Sequence, residues 1–181
     1  MARQCRKFLA NEKKDQDLRK WAIEGLSYLS LDADVKEELC DDQVALAALF
    51  DLCKAIDKSC TYSTVMTFVN TVNAYDKKEE AMEEMKQLAA FAKHHVPEDH
   101  AKDDQKSAAI RAHKLLKNGA CAALVALTLC ESALLTESIK ELVARSVLAM
   151  SHRPEDRGML IQQGTLKFYF LLKNNLQLLS N

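Results

Sequence analysis

The sequence predicts an all-α fold, an armadillo/HEAT-like helical solenoid of about three repeats with a helical insertion in the middle repeat. Three observations carry that expectation. Only 4 Gly and 2 Pro occur in 181 residues, too few for the turns of an all-β chain, while 48% hydrophobic residues supply a sizeable core. Apolar residues recur at helical spacing along successive segments. Equivalent apolar positions then return after about 43 residues, the period of HEAT and armadillo repeats.

The elements follow in order. Residues 3–11 read as a short helix, separated by the polar run Glu12–Asp17 from a long helix at about Leu18–Ser30. Trp21, Ala22, Leu26 and Leu29 place one stripe of that helix toward a core. Asp32-Ala33-Asp34 turns the chain and caps a short helix at Val35–Cys40, because a carboxylate accepts from the free N–H groups of a helix start. Asp41-Asp42 opens an apolar helix at Val44–Ile56, with negative charge where the helix dipole favours it. A second long helix runs at about Ser63–Ala74, with Val65, Phe68, Val69 and Val72 on its core face. A shorter helix, Ala108–Lys117, stops at Gly119, which tolerates the left-handed conformation, and the apolar helix Cys121–Cys130 follows. A third long helix spans about Thr136–Ser151, Pro154 and Gly158 punctuate a turn, and the last apolar helix covers about Thr165–Lys173.

Leu26, Val69 and Val147 are equivalent core positions on the long helices, and Leu49, Leu124 and Phe168 on their apolar partners. Both intervals that cross the middle unit are longer than the period, by about 33 residues. The chain is thus one domain over 1–181, with repeat 1 at about 18–57, repeat 2 at about 60–132 and repeat 3 at about 136–174. The insertion falls at about 75–109. Within it, Lys77–His95 forms a helix with Met82, Met85 and Leu88 on one face, and Pro97 ends it. Insertions of this kind either bind partners or cover an exposed edge.

Composition and motif content leave little room for catalysis. There is no Gly-rich phosphate loop, Gly-x-Ser-x-Gly or His-Glu-x-x-His, so no catalytic, cofactor-binding or metal-binding residue is assigned. His94, His95, Asp99, His100 and Asp103 are the densest set of potential metal ligands, yet Pro97 breaks the helix that would hold them in register. His113 and His152 read as surface histidines, and Glu155-Asp156-Arg157 as a charged turn with a local ion pair and helix cap. A net charge of -1 gives no electrostatic basis for binding nucleic acid or an anionic membrane. No stretch reaches the roughly 18 apolar residues of a membrane span, and the first residues are too polar for a secretory signal. The six cysteines form no Cys-x-x-Cys pair and sit mostly in apolar runs, as reduced structural thiols of a cytoplasmic protein.

Asn70 and Asn73 on the second long helix are the candidate protein-binding residues of a concave groove, since a carboxamide offers both a donor and an acceptor to a peptide backbone. The Met82, Met85 and Leu88 face is the second candidate binding surface. The apolar run from Leu166 to Leu179 is a third exposed surface, because no repeat follows it within the sequence.

The runs KWAIEGLSYLSLDADVKEEL, VNTVNAYD, AKHHVPEDHAKDDQ and EDRG resemble the central region of the UCS family of myosin chaperones, over about Asp15–Gly164. The resemblance implies the central armadillo-repeat part of a three-part protein. In that family a tetratricopeptide domain binds the C-termini of Hsp90 and Hsp70, and a UCS domain grips the myosin motor domain. Neither neighbouring part is expected in this sequence, which shows no 34-residue tetratricopeptide period. The implied role is a central spacer of a co-chaperone that helps myosin folding and thick-filament assembly with Hsp90, those two partners being met at the level of the full-length protein. Two alternatives stay open: an adaptor that binds a linear peptide in its groove, and a self-association module.

Overall fold

The computed structural model describes residues 1–11, 16–55, 59–74, 101–129 and 135–170. Its helices are α1 (Ala2–Leu9), α2 (Gln16–Leu29), α3 (Ala33–Asp41), α4 (Gln43–Lys54), α5 (Thr61–Val72), α6 (Gln105–Lys117), α7 (Ala120–Thr128), α8 (Glu137–Met150) and α9 (Arg157–Gln162). A 3-10 turn, Pro154–Asp156, leads into α9, and 165–170 is helical again as α10. No strand occurs among the described residues.

The helix boundaries have local causes. Asp32 accepts hydrogen bonds from the N–H groups of Asp34 and Val35 and so starts α3. Asp42 does the same for α4 through Ala45 N–H, Asp104 for α6 through Ser107 N–H, and Thr136 for α8 through Ile139 N–H. Gly119, at φ +96°, separates α6 from α7 in the left-handed region, as its position in the sequence predicts.

The helices stack in register, and the architecture is a helical solenoid. The long helices α2, α5 and α8 lie side by side, with α5 between the other two. The apolar helices α4 and α7 form a second row, and the short helices α3, α6 and α9 a third. Leu26, Val69 and Val147 are all buried on the first row, Leu49 and Leu124 on the second, and Phe168 is buried on α10. Phe50 of α4 stacks on Phe68 of α5, ring centroids 5.8 Å apart.

Helix α5 is buried from Thr64 through Val72 apart from the half-buried Met66. Thr67 and Thr71 satisfy their hydroxyls within the helix, Thr67 donating to Ser63 O and Thr71 to Thr67 O, whereas the buried Thr64 Oγ1 has no hydrogen-bond partner among the described residues.

Two expectations need correction. Trp21 does not join the core stripe of α2; it is 69% exposed, and Ala22, Ile23, Leu26 and Ser30 carry the burial instead. The segment around Gly158 is not a bare turn. It is the short helix of the third row, whose Leu160 is buried. The helix expected at Lys77–His95 lies outside the described residues.

Candidate protein-interaction surface

The stack is held at its first junction by charges placed where a core residue would stand. On α3, Lys36 lies in helical phase with the buried Ala33, Leu39 and Cys40; on α6, Arg111 lies in phase with Ala108, Ala112 and Leu115. Both cations are fully buried. Ions cannot be buried unpaired at modest cost, so each has a full set of acceptors. Lys36 Nζ bonds Asp103 Oδ1 at 2.6 Å and reaches Asn73 O at 3.5 Å. Arg111 donates to Thr71 O (2.8 Å), Lys102 O (2.7 Å) and Glu37 Oε1 (3.0 Å), and lies 3.6 Å from Asp103.

Burial pushes the Lys36 ammonium below its ordinary range, opposed by the hydrogen bond and charge of Asp103. Around the rim, Lys114 pairs with Asp41 at 2.6 Å and Lys102 with Asp34 at 3.1 Å. The Asp41 hydrogen bond raises the pKa of Lys114. This node joins the residues on either side of segment 75–100: the end of α5 supplies acceptors, and Lys102 and Asp103 close the other side.

The second junction is polar as well. His113 of α6 lies 2.7 Å from the buried Asp156, which also sits 3.6 Å from Arg153. His113 is thus a bridging group rather than a free surface histidine, and the Asp156 side chain makes this bridge rather than the expected cap on α9. Gln163 spans the same junction, donating to Leu116 O (2.7 Å) and accepting from Ala122 N–H (3.2 Å).

The candidate binding residues fall in different places. Asn70 is only 6% exposed, and its Nδ2 donates to Ser27 O (2.8 Å) and Ser30 Oγ (3.1 Å), stitching α5 to α2. Its amide protons are used inside the protein. Asn73 ends α5; its Nδ2 donates to Val69 O (2.8 Å), and its own carbonyl faces Lys36 and Arg111. Met82, Met85 and Leu88 lie outside the described residues, as do His94, His95, Asp99 and His100 of the potential metal set. Asp103, the remaining member, is committed to the buried node. Among the described residues no group of three or more His, Cys, Asp or Glu is arranged for a metal ion, and no helix is long and apolar enough to cross a membrane.

Exposed apolar side chains are spread over the described residues and include two groups. One is α2, where Trp21 and Tyr28 (71% exposed) project to solvent, with Leu31 just beyond. The other is the far end of the stack, where Ile161, Leu166, Tyr169 and Phe170 are exposed, as expected for Leu166. Sequence reasoning missed the buried node. Its signal was present: a cation in the apolar phase of each short helix, with Lys36 and Arg111 separated by the same interval as Leu49 and Leu124.

Comparison with known proteins places this arrangement in context. No family model matches the chain. It is 47% identical over 164 residues to Protein unc-45 homolog B of Xenopus laevis, and 48% identical over 166 residues to the Homo sapiens protein of that name. Each alignment covers 91% of this chain and 18% of the relative, so the chain spans about a fifth of the length of these proteins. Among solved structures it is similar to UNC-45 from Drosophila melanogaster, with 43% identity and a TM-score of 0.69 over 92% of this chain and 21% of that one. It is also similar to the myosin chaperone UNC-45 from C. elegans in complex with a Hsp90 peptide. That match has 40% identity and a TM-score of 0.72, over 92% of this chain and 17% of that one.

Proposed function

The chain is a homologue of the UNC-45 proteins, myosin chaperones of the UCS family, and from that premise we propose that it is the central spacer segment of a myosin-directed co-chaperone. It works without catalysis, in the cytoplasm, as a scaffold that fixes the distance and angle between the parts that hold client and chaperone. The observation that carries this reading is the polar stitching of both junctions, Lys36/Asp103/Arg111 at one and His113/Asp156 at the other. Apolar rows alone permit sliding, whereas buried ion pairs with directional hydrogen bonds specify one register. A spacer needs a defined geometry more than it needs a pocket.

Repeat boundaries at about 18–57, 60–132 and 136–174 follow from the same reading. Partners of the full-length protein are the myosin motor domain and Hsp90; the solved relatives with bound Hsp90 and Hsp70 peptides support the chaperone side. Self-association through Met82, Met85 and Leu88 is the second reading, motivated by the apolar face these residues share at helical spacing.

The test is a pull-down of the muscle myosin motor domain and of Hsp90, with the isolated segment and with a full-length relative. The expected result is capture of both by the full-length protein and of neither by the segment, which remains helical by circular dichroism. Capture of myosin by the folded segment alone would overturn the spacer reading and assign it client contacts of its own.

A further inference from the structure

Asn118-Gly119 is the single Asn-Gly step of the sequence, and it forms the turn between α6 and α7. Such a pair carries its own chemistry. The Gly119 amide nitrogen attacks the Asn118 Cγ carbonyl and forms a new C–N bond. The bond from Cγ to Nδ2 then breaks, and ammonia leaves with the proton. Water opens the resulting cyclic imide at either carbonyl, giving aspartate or isoaspartate. Water is the only co-reactant. Glycine favours the step, because it has no Cβ to crowd its nitrogen.

The folded turn blocks ring closure in three ways. Asn118 has ψ 0°, so the Gly119 nitrogen eclipses the backbone nitrogen of Asn118, whereas closure requires it to eclipse Cβ. The Gly119 N–H donates to Leu116 O at 2.9 Å, so the nucleophile keeps its proton. Asn118 Nδ2 donates to Lys114 O at 2.8 Å, which turns the carboxamide back along α6. The third repeat reinforces this arrangement. Gln163 Nε2 donates to the same Leu116 carbonyl at 2.7 Å, and its Oε1 accepts from Ala122 N–H. Leu115, Leu116, Ala120 and Cys121 on either side of the turn are buried.

Local opening of the turn releases all three constraints together. We propose that Asn118 is a latent deamidation site, kept intact by the junction of α6, α7 and α9 and modified when that junction opens. The product cannot rebuild the turn. A carboxylate at 118 loses the donor to Lys114 O and adds negative charge at the C-terminus of α6, where the helix dipole disfavours it. Isoaspartate also adds a methylene to the main chain, out of step with the left-handed Gly119 at φ +96°. Opening is thereby converted into a permanent loss of register between the second and third repeats. The site stands on the geometry of the turn and does not depend on the spacer role.

The test incubates the chain at neutral pH in buffer and in guanidinium chloride. Peptide mapping by mass spectrometry follows residue 118, and labelling by an isoaspartyl methyltransferase counts the isoaspartate. Modification should be roughly tenfold or more slower in buffer than in denaturant. In denaturant, where the fold plays no part, Gly119→Ala should slow it by crowding the attacking nitrogen. Gln163→Ala removes the reinforcement and should speed modification severalfold in buffer, with an unchanged circular dichroism spectrum. Gln163→Glu keeps the size and the acceptor, removes only the donor to Leu116 O, and should act in the same direction. Asn118→Asp, made directly, should lower the melting midpoint. Three outcomes would overturn the proposal: equal rates in buffer and denaturant, no modification at 118 in denaturant, or an unchanged rate in both folded Gln163 variants.

Discussion

Arg111 shows how a single side chain sets the register of this protein. Its guanidinium is fully buried and donates to three backbone carbonyls and one carboxylate, from segments that are far apart in sequence. Substituting Arg111→Met keeps much of the volume but leaves those acceptors in a dry site. Removal of one partner from a buried ion pair costs about 3–5 kcal/mol. The same loss is expected here, read as a lower urea midpoint; a change within about 0.5 kcal/mol would mean that the node is solvated in solution. Arg111→Lys keeps the charge but not the planar fork and should fall between the two. This residue was legible only in part. Helical phase put Arg111 on an apolar face, but nothing local in the sequence names Asp103 and Glu37 as its partners, because such pairing is set by the fold. Trp21 failed in the opposite direction. It shares an apolar spacing with Ala22 and Leu26, yet that spacing is wider than the face α2 buries, and Trp21 lies on its exposed side.

The helices themselves were the readable level. Periodicity, aspartate caps and one glycine place α1 through α8 close to their expected positions, since each of these signals acts within a few residues. Helix α9 was missed because it is only 6 residues long and directly follows the 3-10 turn Pro154–Asp156, where turn signals dominate. The two glycines of this region separate backbone from packing effects. Gly119 holds φ +96° with open space around its Cα, so Gly119→Ala meets no clash and is penalised by conformation alone. The expected loss is about 1–2 kcal/mol. Gly158 sits inside α9 with equally open space and no positive φ. Gly158→Ala should therefore stabilise the protein, by about 0.5–1 kcal/mol. Thermal melts of the two variants check both signs at once, and a destabilised Gly158→Ala would show that α9 is not helical in solution.

At the scale of the whole stack, stability passes from neighbour to neighbour, and α5 is the element through which most of it passes. It packs against α2 and α8 along the long row and also touches α3, α4 and α6. Phe68 stands at its centre, fully buried and stacked on Phe50. Phe168 holds the equivalent depth in the core but belongs to α10, beyond α9. Truncation of either ring to alanine removes comparable buried area, and about 3–5 kcal/mol is expected for each. The reach of the two losses differs, because in a solenoid a unit couples only to those beside it. Phe68→Ala weakens both flanking interfaces, so amide protection should fall together in α2, α5 and α8. Phe168→Ala weakens one end, so protection should fall in α7, α9 and α10 while α2 and α3 keep theirs. Hydrogen exchange followed by mass spectrometry resolves the two patterns. Equal loss across every helix in both variants would make the segment a single all-or-none unit, in which the polar junctions, and not the stacking order, set the range of cooperativity.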